Sequence, residues 1–222
     1  MSDQAFSHGR AIARFVPVGA DMLVVRFADR LDDAANRTAL AFVQDVKGDA
    51  ISGVVEIVPS LVSVGLRYDP ETTTAAGVAG EARLRMVRLD AHRVLDARRH
   101  DVSITYDGPD LDAVAERLGM SVEAFIARHH IDELRVLAIG FAPGFVYCGF
   151  HADELVVPRR TAVRPGVPAG TVLFAAGQTA ICATEIPTGW HVIGHTDLRN
   201  FDPARDPPSQ LRPGDVVSFS PA

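Results

Sequence analysis

The sequence predicts an α+β protein in two parts. The first, residues 1–95, is a small α/β sandwich, ferredoxin-like in outline; the second, residues 96–222, is a closed β-barrel or sandwich. Three observations predict this. Strand-period and helix-period segments alternate up to about residue 95. The polar stretch LDARRHD then breaks the pattern, and the boundary is set at Asp96. From Leu134 onward the chain is almost all short apolar runs separated by Pro and Gly.

The elements follow in order. AIARFVPV and DMLVVRF, from Ala11 to Phe27, are β-branched and aromatic, and Pro17 and Gly19 divide them as a hairpin. A helix comes next, capped by Asp32 or Asp33, with Ala35, Ala39, Phe42, Val43 and Val46 as its apolar stripe and Gly48 as its end. GVVEIVPS leads into a half-buried strand in which Val62, Val64, Leu66 and Tyr68 alternate with polar or small residues. Asp69-Pro70 is expected to open a second helix, because Pro suits a first helical turn. Its stripe is Ala75, Ala79, Ala82, Met86 and Leu89.

In the second part HDVSITY reads as a strand. GPDLDAVAERLG reads as a helix capped by Asp110 and stopped at Gly119, and SVEAFIARHH as another capped by Ser121. His129-His130 closes that helix, where a cation suits the dipole. RVLAIGF, ELVVP, GTVLFAAG, TAICATE, WHVIGHT and DVVSFS have strand length, and no segment is long enough for the crossover helices of a parallel sheet. Pro143-Gly144 predicts a type II turn with positive φ at Gly144.

Composition narrows the function. The 222 residues are 47% apolar, enough for a sizeable core, with a formal charge of −6 and a pI near 5.7, which speaks against a nucleic-acid partner. The two cysteines, Cys148 and Cys182, are too few for a disulfide scaffold, and with the histidines they form no zinc spacing, so no metal is expected. The start lacks a secretory h-region and no run of 18 apolar residues occurs, so a cytoplasmic protein without a membrane span is expected. Neither common phosphate cradle is present. The one lysine, Lys47, lies in DVKGD without flanking methionines, so no biotin is expected on this chain.

Several motifs in fixed order then carry a resemblance. Gly140-Phe141-Ala142-Pro143-Gly144-Phe145-Val146-Tyr147 resembles a GFxPGFxY signature. Pro158-Arg159-Arg160 with Arg164 and Val167-Pro168-Ala169-Gly170 resembles PRR…R..VPAG. Gly177-Gln178-Thr179, Gly189-Trp190 with Gly194-His195-Thr196, Phe201-Asp202 and Leu211-Arg212-Pro213-Gly214-Asp215 resemble GGQT, GGWxLIGRT, FDP and LRPGD; Tyr106 to Leu111 and Tyr68-Asp69-Pro70 fit as well. These are similar to the family of 5-oxoprolinase B-type subunits, also called kinase-A inhibitor (KipI) or allophanate hydrolase subunit 1, of the carboxyltransferase subdomain C/D type. The resemblance covers most of the chain. It implies a cyclophilin-like barrel for the second part. It also implies an ATP-dependent hydrolase subunit that opens 5-oxo-L-proline to L-glutamate in a complex, with ATP handled through that complex. The partners implied are a homologous, cyclophilin-like second subunit of the C type and a third subunit. Urea carboxylase-type action on another small amide, or non-catalytic inhibition of a histidine kinase, is the alternative. The chain departs from the signatures at Val146, Cys148, Ile181-Cys182-Ala183 and Thr188, and His195 replaces an Arg. If that position holds an anion, binding weakens above pH 7 or passes to another Arg.

The candidate site residues are weighed singly. Arg159, Arg160 and Arg164 flank a Pro-rich turn and could clamp a carboxylate or phosphate, or be solvated charges paired with Asp153, Glu154 or Asp202. Arg159 and Arg164 are taken as substrate-binding and Arg160 as structural. Gln178 could orient a substrate amide or merely bond a turn. His195 could carry a proton, whereas His191 reads as an ordinary half-buried histidine. Phe141 and Trp190 could wall a pocket or an interface, or anchor the core. Glu185 is expected outward and solvated, and Cys148 lacks the neighbours of a nucleophile.

Overall fold

The computed structural model describes residues 13–89 and 97–222. The chain divides into two compact units, Met1–Arg93 and Val94–Ala222. The boundary expected at Asp96, and the part of the first strand before Ala13, lie outside the described residues.

The first unit runs β1 (Arg14–Val18), β2 (Met22–Arg26), α1 (Asp33–Gly48), β3 (Val54–Pro59), β4 (Ser63–Tyr68) and α2 (Ala75–Arg88). Its sheet has the order β1-β2-β4-β3, with every neighbouring pair antiparallel. Alternation sends Leu23, Val25, Val64 and Leu66 to one face, where they pack with Ala39, Phe42 and Val43 of α1 and Val78 and Ala82 of α2. Asp32 caps α1 as expected, its carboxylate accepting the Ala35 N–H at 2.7 Å. The start of α2 is a correction. Asp69-Pro70 does not open the helix, because the Asp69 side chain accepts from Glu71 N and Thr72 Oγ1 and closes a turn; Thr74 is the cap. The stripe expectation also omitted Arg85. It is buried between the two helices on Asp45, Asp49 and Glu81, at 3.0 to 3.1 Å.

The second unit runs β5 (Arg99–Ile104), α3 (Leu111–Arg117), α4 (Val122–His129), β6 (Leu134–Ile139), β7 (Val146–Gly149), β8 (Arg164–Val167), β9 (Thr171–Ala175), β10 (Gln178–Ile181), β11 (Ile186–Thr188), β12 (His191–His195) and β13 (Val216–Pro221). A seven-stranded sheet has the order β12-β9-β10-β7-β6-β13-β5. It curls as a half-barrel until its edges touch, Thr105 and His195 exchanging backbone hydrogen bonds of 2.9 and 3.0 Å. β8 and β11 form a separate two-stranded sheet. β13 pairs with β5 in parallel, which the absence of crossover helices had argued against. The whole unit serves as the connection between them. ELVVP is not a strand: Leu155 and Val157 instead drop individually into the core.

Each face of the curled sheet buries its own cluster. One holds Val136, Cys148, Phe174, Ile181 and Ile193 with Phe125 of α4. The other holds Phe145, Leu173, Ala175, Ala180, Cys182, Trp190 and Val192, with Val167 and Ile186 of the small sheet. Because side chains alternate, consecutive residues of β10 serve opposite faces: Thr179 and Ile181 the first, Gln178 and Ala180 the second.

Candidate functional site

The second face carries the candidate site. Gln178 opens β10, is 3% exposed, and its Nε2 has no hydrogen-bond partner among the described residues. An unpaired buried amide is costly, so a donor left free to meet an acceptor is an informative feature. In the sheet Gln178 stands opposite Ala175, and its neighbour Ala180 stands opposite Tyr147. Trp190 directly precedes β12, whose first residue pairs with Phe174, so the indole begins at the same end of the sheet. Trp190 is 5% exposed and meets Tyr147 edge-on at 6.0 Å. The aromatic series continues through Phe145, 4.8 Å from Tyr147, to Phe141, 5.6 Å from Phe145. Phe141 is the outer member, 73% exposed, and has φ 78°, a left-handed conformation unusual for a bulky residue. Gly144 takes φ 67°, as the Pro-Gly turn requires.

Arg159 lies over the Trp190 ring, its guanidinium carbon 5.5 Å from the centroid. No carboxylate is paired with it among the described residues. Burial pushes the Tyr147 phenol above its ordinary pKa, and the nearby Arg159 charge partly offsets that. Arg159, Trp190, Tyr147 and Gln178 therefore share one face at one end of the sheet.

Arg164 is placed differently from the expectation. It and Arg160 both bind the Asp110 carboxylate, Arg164 Nη2 at 2.7 Å, so two guanidiniums are turned onto one internal carboxylate. The carboxylates thought able to pair with them include two that are engaged elsewhere: Glu154 with Arg128 and Asp202 with Arg205. Asp110 itself corrects a second expectation. It precedes α3 but makes no side-chain cap bond; Oδ2 accepts the Val192 N–H at 2.9 Å instead. Burial alone would raise its pKa, but the bonds from Val192 and Arg164 hold it below the ordinary value.

His195 is not gathered with the others. It pairs with Thr171 at the far end of β9, four residues or about 13 Å of strand from Ala175, beside which Gln178 stands. Its ring is exposed, with Nδ1 2.9 Å from Asp107. Of the residues weighed singly from the sequence, Arg159 and Gln178 thus stand at one end of the sheet and His195 at the other. The cleft lined by Arg98, His100, Arg205, Ser209 and Gln210 contains none of the six candidates. Glu185 is exposed. Cys148 and Cys182 are buried thiols with pKa pushed up to about 12, which leaves them protonated and unreactive. Among the described residues no group of three His, Cys, Asp or Glu could hold a metal, and no helix is long and apolar enough to cross a membrane.

The reading of His129 as a helix-end cation is overturned. It is fully buried on the first face, bonded to Tyr106 Oη at 2.8 Å and Thr179 Oγ1 at 2.7 Å, with His151 also on Thr179 at 2.8 Å. Burial, reinforced by the neighbouring His151 and His130, drives its pKa well below 6.5, so it is neutral. Sequence reasoning treated Asp110 and His129 as helix ends because both stand at one. Thr179, which holds His129, and Arg164, which holds Asp110, are 50 and 54 positions away, and no local signal announces them.

A two-layered arrangement, a curled sheet carrying the GFxPGFxY turn and the Gln and Trp motifs on one face, defines a class. The chain belongs to the family described as carboxyltransferase domain, subdomain C and D, which matches residues 13–211. Among its relatives is the B-type subunit of 5-oxoprolinase from Bacillus subtilis (strain 168), 29% identical over 215 residues, covering 91% of this chain and 90% of that protein. The crystal structure of TTHA0988 superposes with a TM-score of 0.78 at 36% identity; it covers 90% of this chain, which spans only 40% of that longer one. Urea carboxylase of Kluyveromyces lactis shares the fold, with a TM-score of 0.76 at 15% identity over 95% of this chain and 22% of that one.

Proposed function

We propose that this chain is the B-type component of a cytoplasmic, ATP-dependent 5-oxoprolinase, acting on 5-oxo-L-proline together with a homologous C-type subunit and a third subunit. The observation that carries the reading is Gln178: a buried carboxamide whose Nε2 is unpaired among the described residues, on the face that also bears Trp190, Tyr147 and the Arg159 guanidinium. The substrate is a flat five-membered lactam with one carboxylate. Its carboxylate suits Arg159, whose planar fork accepts two oxygens. Its ring suits the aromatic faces of Trp190 and Tyr147. Its lactam carbonyl can accept from Gln178 Nε2, which polarises the C–N bond that water cleaves, hydroxyl going to the carbonyl carbon and a proton to the nitrogen. Phe141, exposed at the end of the aromatic series, closes the outer edge. The name of the Bacillus subtilis relative supports this reading, as does the order of the motifs. The same reading takes the first unit as ferredoxin-like and the second as a cyclophilin-like barrel.

ATP is assigned to the complex rather than to this face. A triphosphate needs several converging cations or backbone N–H groups. Arg160 and Arg164 are both held on the Asp110 carboxylate, whereas Arg159 has no ion-pair partner among the described residues. No step through ATP is therefore derived from these residues.

The test is reconstitution. The chain mixed with its two partner subunits should form glutamate from 5-oxo-L-proline only when ATP is present. Arg159→Ala should raise KM about tenfold or more, the loss of one charge-assisted contact. Complete complexes that yield no ATP-dependent glutamate would remove the reading.

A further inference from the structure

Arg159 keeps its place over Trp190 although its own side chain has no ion-pair partner among the described residues. The residues on either side of it explain this. Pro158 O is bonded to His191 Nε2 at 3.0 Å, and Arg160 N donates to Gly189 O at 2.7 Å, so both flanks are tied to the turn that carries Trp190. The Asp110 carboxylate fastens this assembly from a third direction. Oδ1 accepts from Arg160 Nη1 and Arg164 Nη2, while Oδ2 accepts the Val192 N–H, two residues past Trp190. The Asp110 N–H also donates to Val192 O at 3.1 Å. Asp110 is 4% exposed and its two guanidinium partners are half-buried, so this is a built junction rather than a surface pair. Within it one carboxylate charge faces two guanidinium charges. Without that carboxylate, Arg160 and Arg164 would repel each other and Arg159 and would compete for any anion on the face.

We propose that Asp110 is a positioning residue: by holding Arg160, Arg164 and Val192 on one carboxylate, it fixes the loop that keeps Arg159 over Trp190 and leaves Arg159 as the guanidinium that meets an anionic ligand. The ligand part rests on the reading of this face given above; the positioning part rests on the geometry alone.

Trp190 is the sole tryptophan of the chain, so its fluorescence reports on the site directly. The experiment is a double-mutant cycle on the full chain without ligand. Arg159→Ala should change Trp190 emission intensity. Asp110→Asn should change it in the same direction, and the double variant should match Arg159→Ala alone, because Asp110 acts through Arg159. A second arm titrates 5-oxo-L-proline into each protein. Affinity should fall about tenfold in either single variant and no further in the double variant. Asp110→Glu, which keeps the charge, should recover part of both signals. Unchanged emission in Asp110→Asn, or effects of the two substitutions that simply add, would overturn the proposal. If Asp110→Asn does not fold by far-ultraviolet circular dichroism, Arg160→Gln takes its place in the same cycle with the same expectations. If 5-oxo-L-proline leaves wild-type emission unchanged, the substrate reading fails, while the ligand-free cycle still decides the positioning role.

Discussion

Thr179 Oγ1 lies 2.7 Å from His129 Nε2, joining the last residue of α4 to the second residue of β10 across the core. His151 approaches the same hydroxyl at 2.8 Å, and Tyr106 Oη completes the series on His129 Nδ1. The hydrogen count closes if Tyr106 donates to His129, His129 to Thr179, and Thr179 to His151. A one-residue slip of β10 would turn Gln178 into this core and Thr179 out of it, so the two imidazoles fix which face receives the candidate amide.

Thr179→Val keeps the shape but removes the hydroxyl, leaving two buried imidazole nitrogens without partners. Unfolding by urea should show a loss of about 2–4 kcal/mol. A loss below about 1 kcal/mol would mean that water replaces the hydroxyl.

The same network predicts acid sensitivity. Burial lowers the His151 pKa to about 4 and holds His129 well below 6.5, whereas both titrate near 6.5 once unfolded. Between pH 6.5 and about 4 the unfolded chain therefore binds more protons, and stability falls as pH falls. His151→Gln should flatten the stability profile in this window by about 1.4 kcal/mol per pH unit. Unfolding free energies at about pH 7, 6, 5 and 4.5 give the slope; parallel profiles for the two proteins would contradict the assignment.

Gly144→Ala should be strongly destabilising. The residue has φ 67°, and a Cβ there would run into Phe201 and, at 2.9 Å, Ala183. Its carbonyl is also held by Asn200 Nδ2 at 2.8 Å, so the turn cannot easily shift. A loss of about 3 kcal/mol or an insoluble product is expected, judged against Gly80→Ala, where a Cβ meets open space.

In the first unit, Arg85→Ala removes a cation that is 2% exposed and joins α2 to Asp45 and Asp49 at the end of α1. Two of its three acid partners are well solvated, which limits the loss to about 2 kcal/mol. Thermal melting followed by far-ultraviolet circular dichroism should register it, and Arg85→Lys should recover less than half, since one ammonium cannot span three acids.

What could be read from the sequence was whatever is local. The stripe of α1 and its Asp32 cap are set by residues within four positions of one another, and the structure has both. The positive φ of Gly144 follows from turn chemistry; Glu185 is exposed as expected, but from the bend between β10 and β11 rather than by alternation along one strand. Pro70 failed as a helix start because Asp69 offered a competing turn, a choice between two local rules. Asp110 and His129 failed for another reason. Each stands at a helix end, where the short-range rule assigns a cap or a dipole partner, and each is instead claimed by residues remote in sequence. The site was legible in its parts, Arg159, Gln178 and Trp190, through motif order. Their arrangement, and the separation of His195 from them, depends on strand pairing that no local pattern specifies.

The parallel pairing of β5 with β13 has a consequence for biosynthesis. Ser103 meets Ser220, 117 positions further along the chain, and β13 is the strand beside β5 in the sheet order. On a ribosome, residues 99–104 emerge long before their mate and wait with both edges open to other nascent chains. A premature stop ahead of Val216 would leave that strand unmated, giving a product for proteases rather than a shortened but serviceable protein.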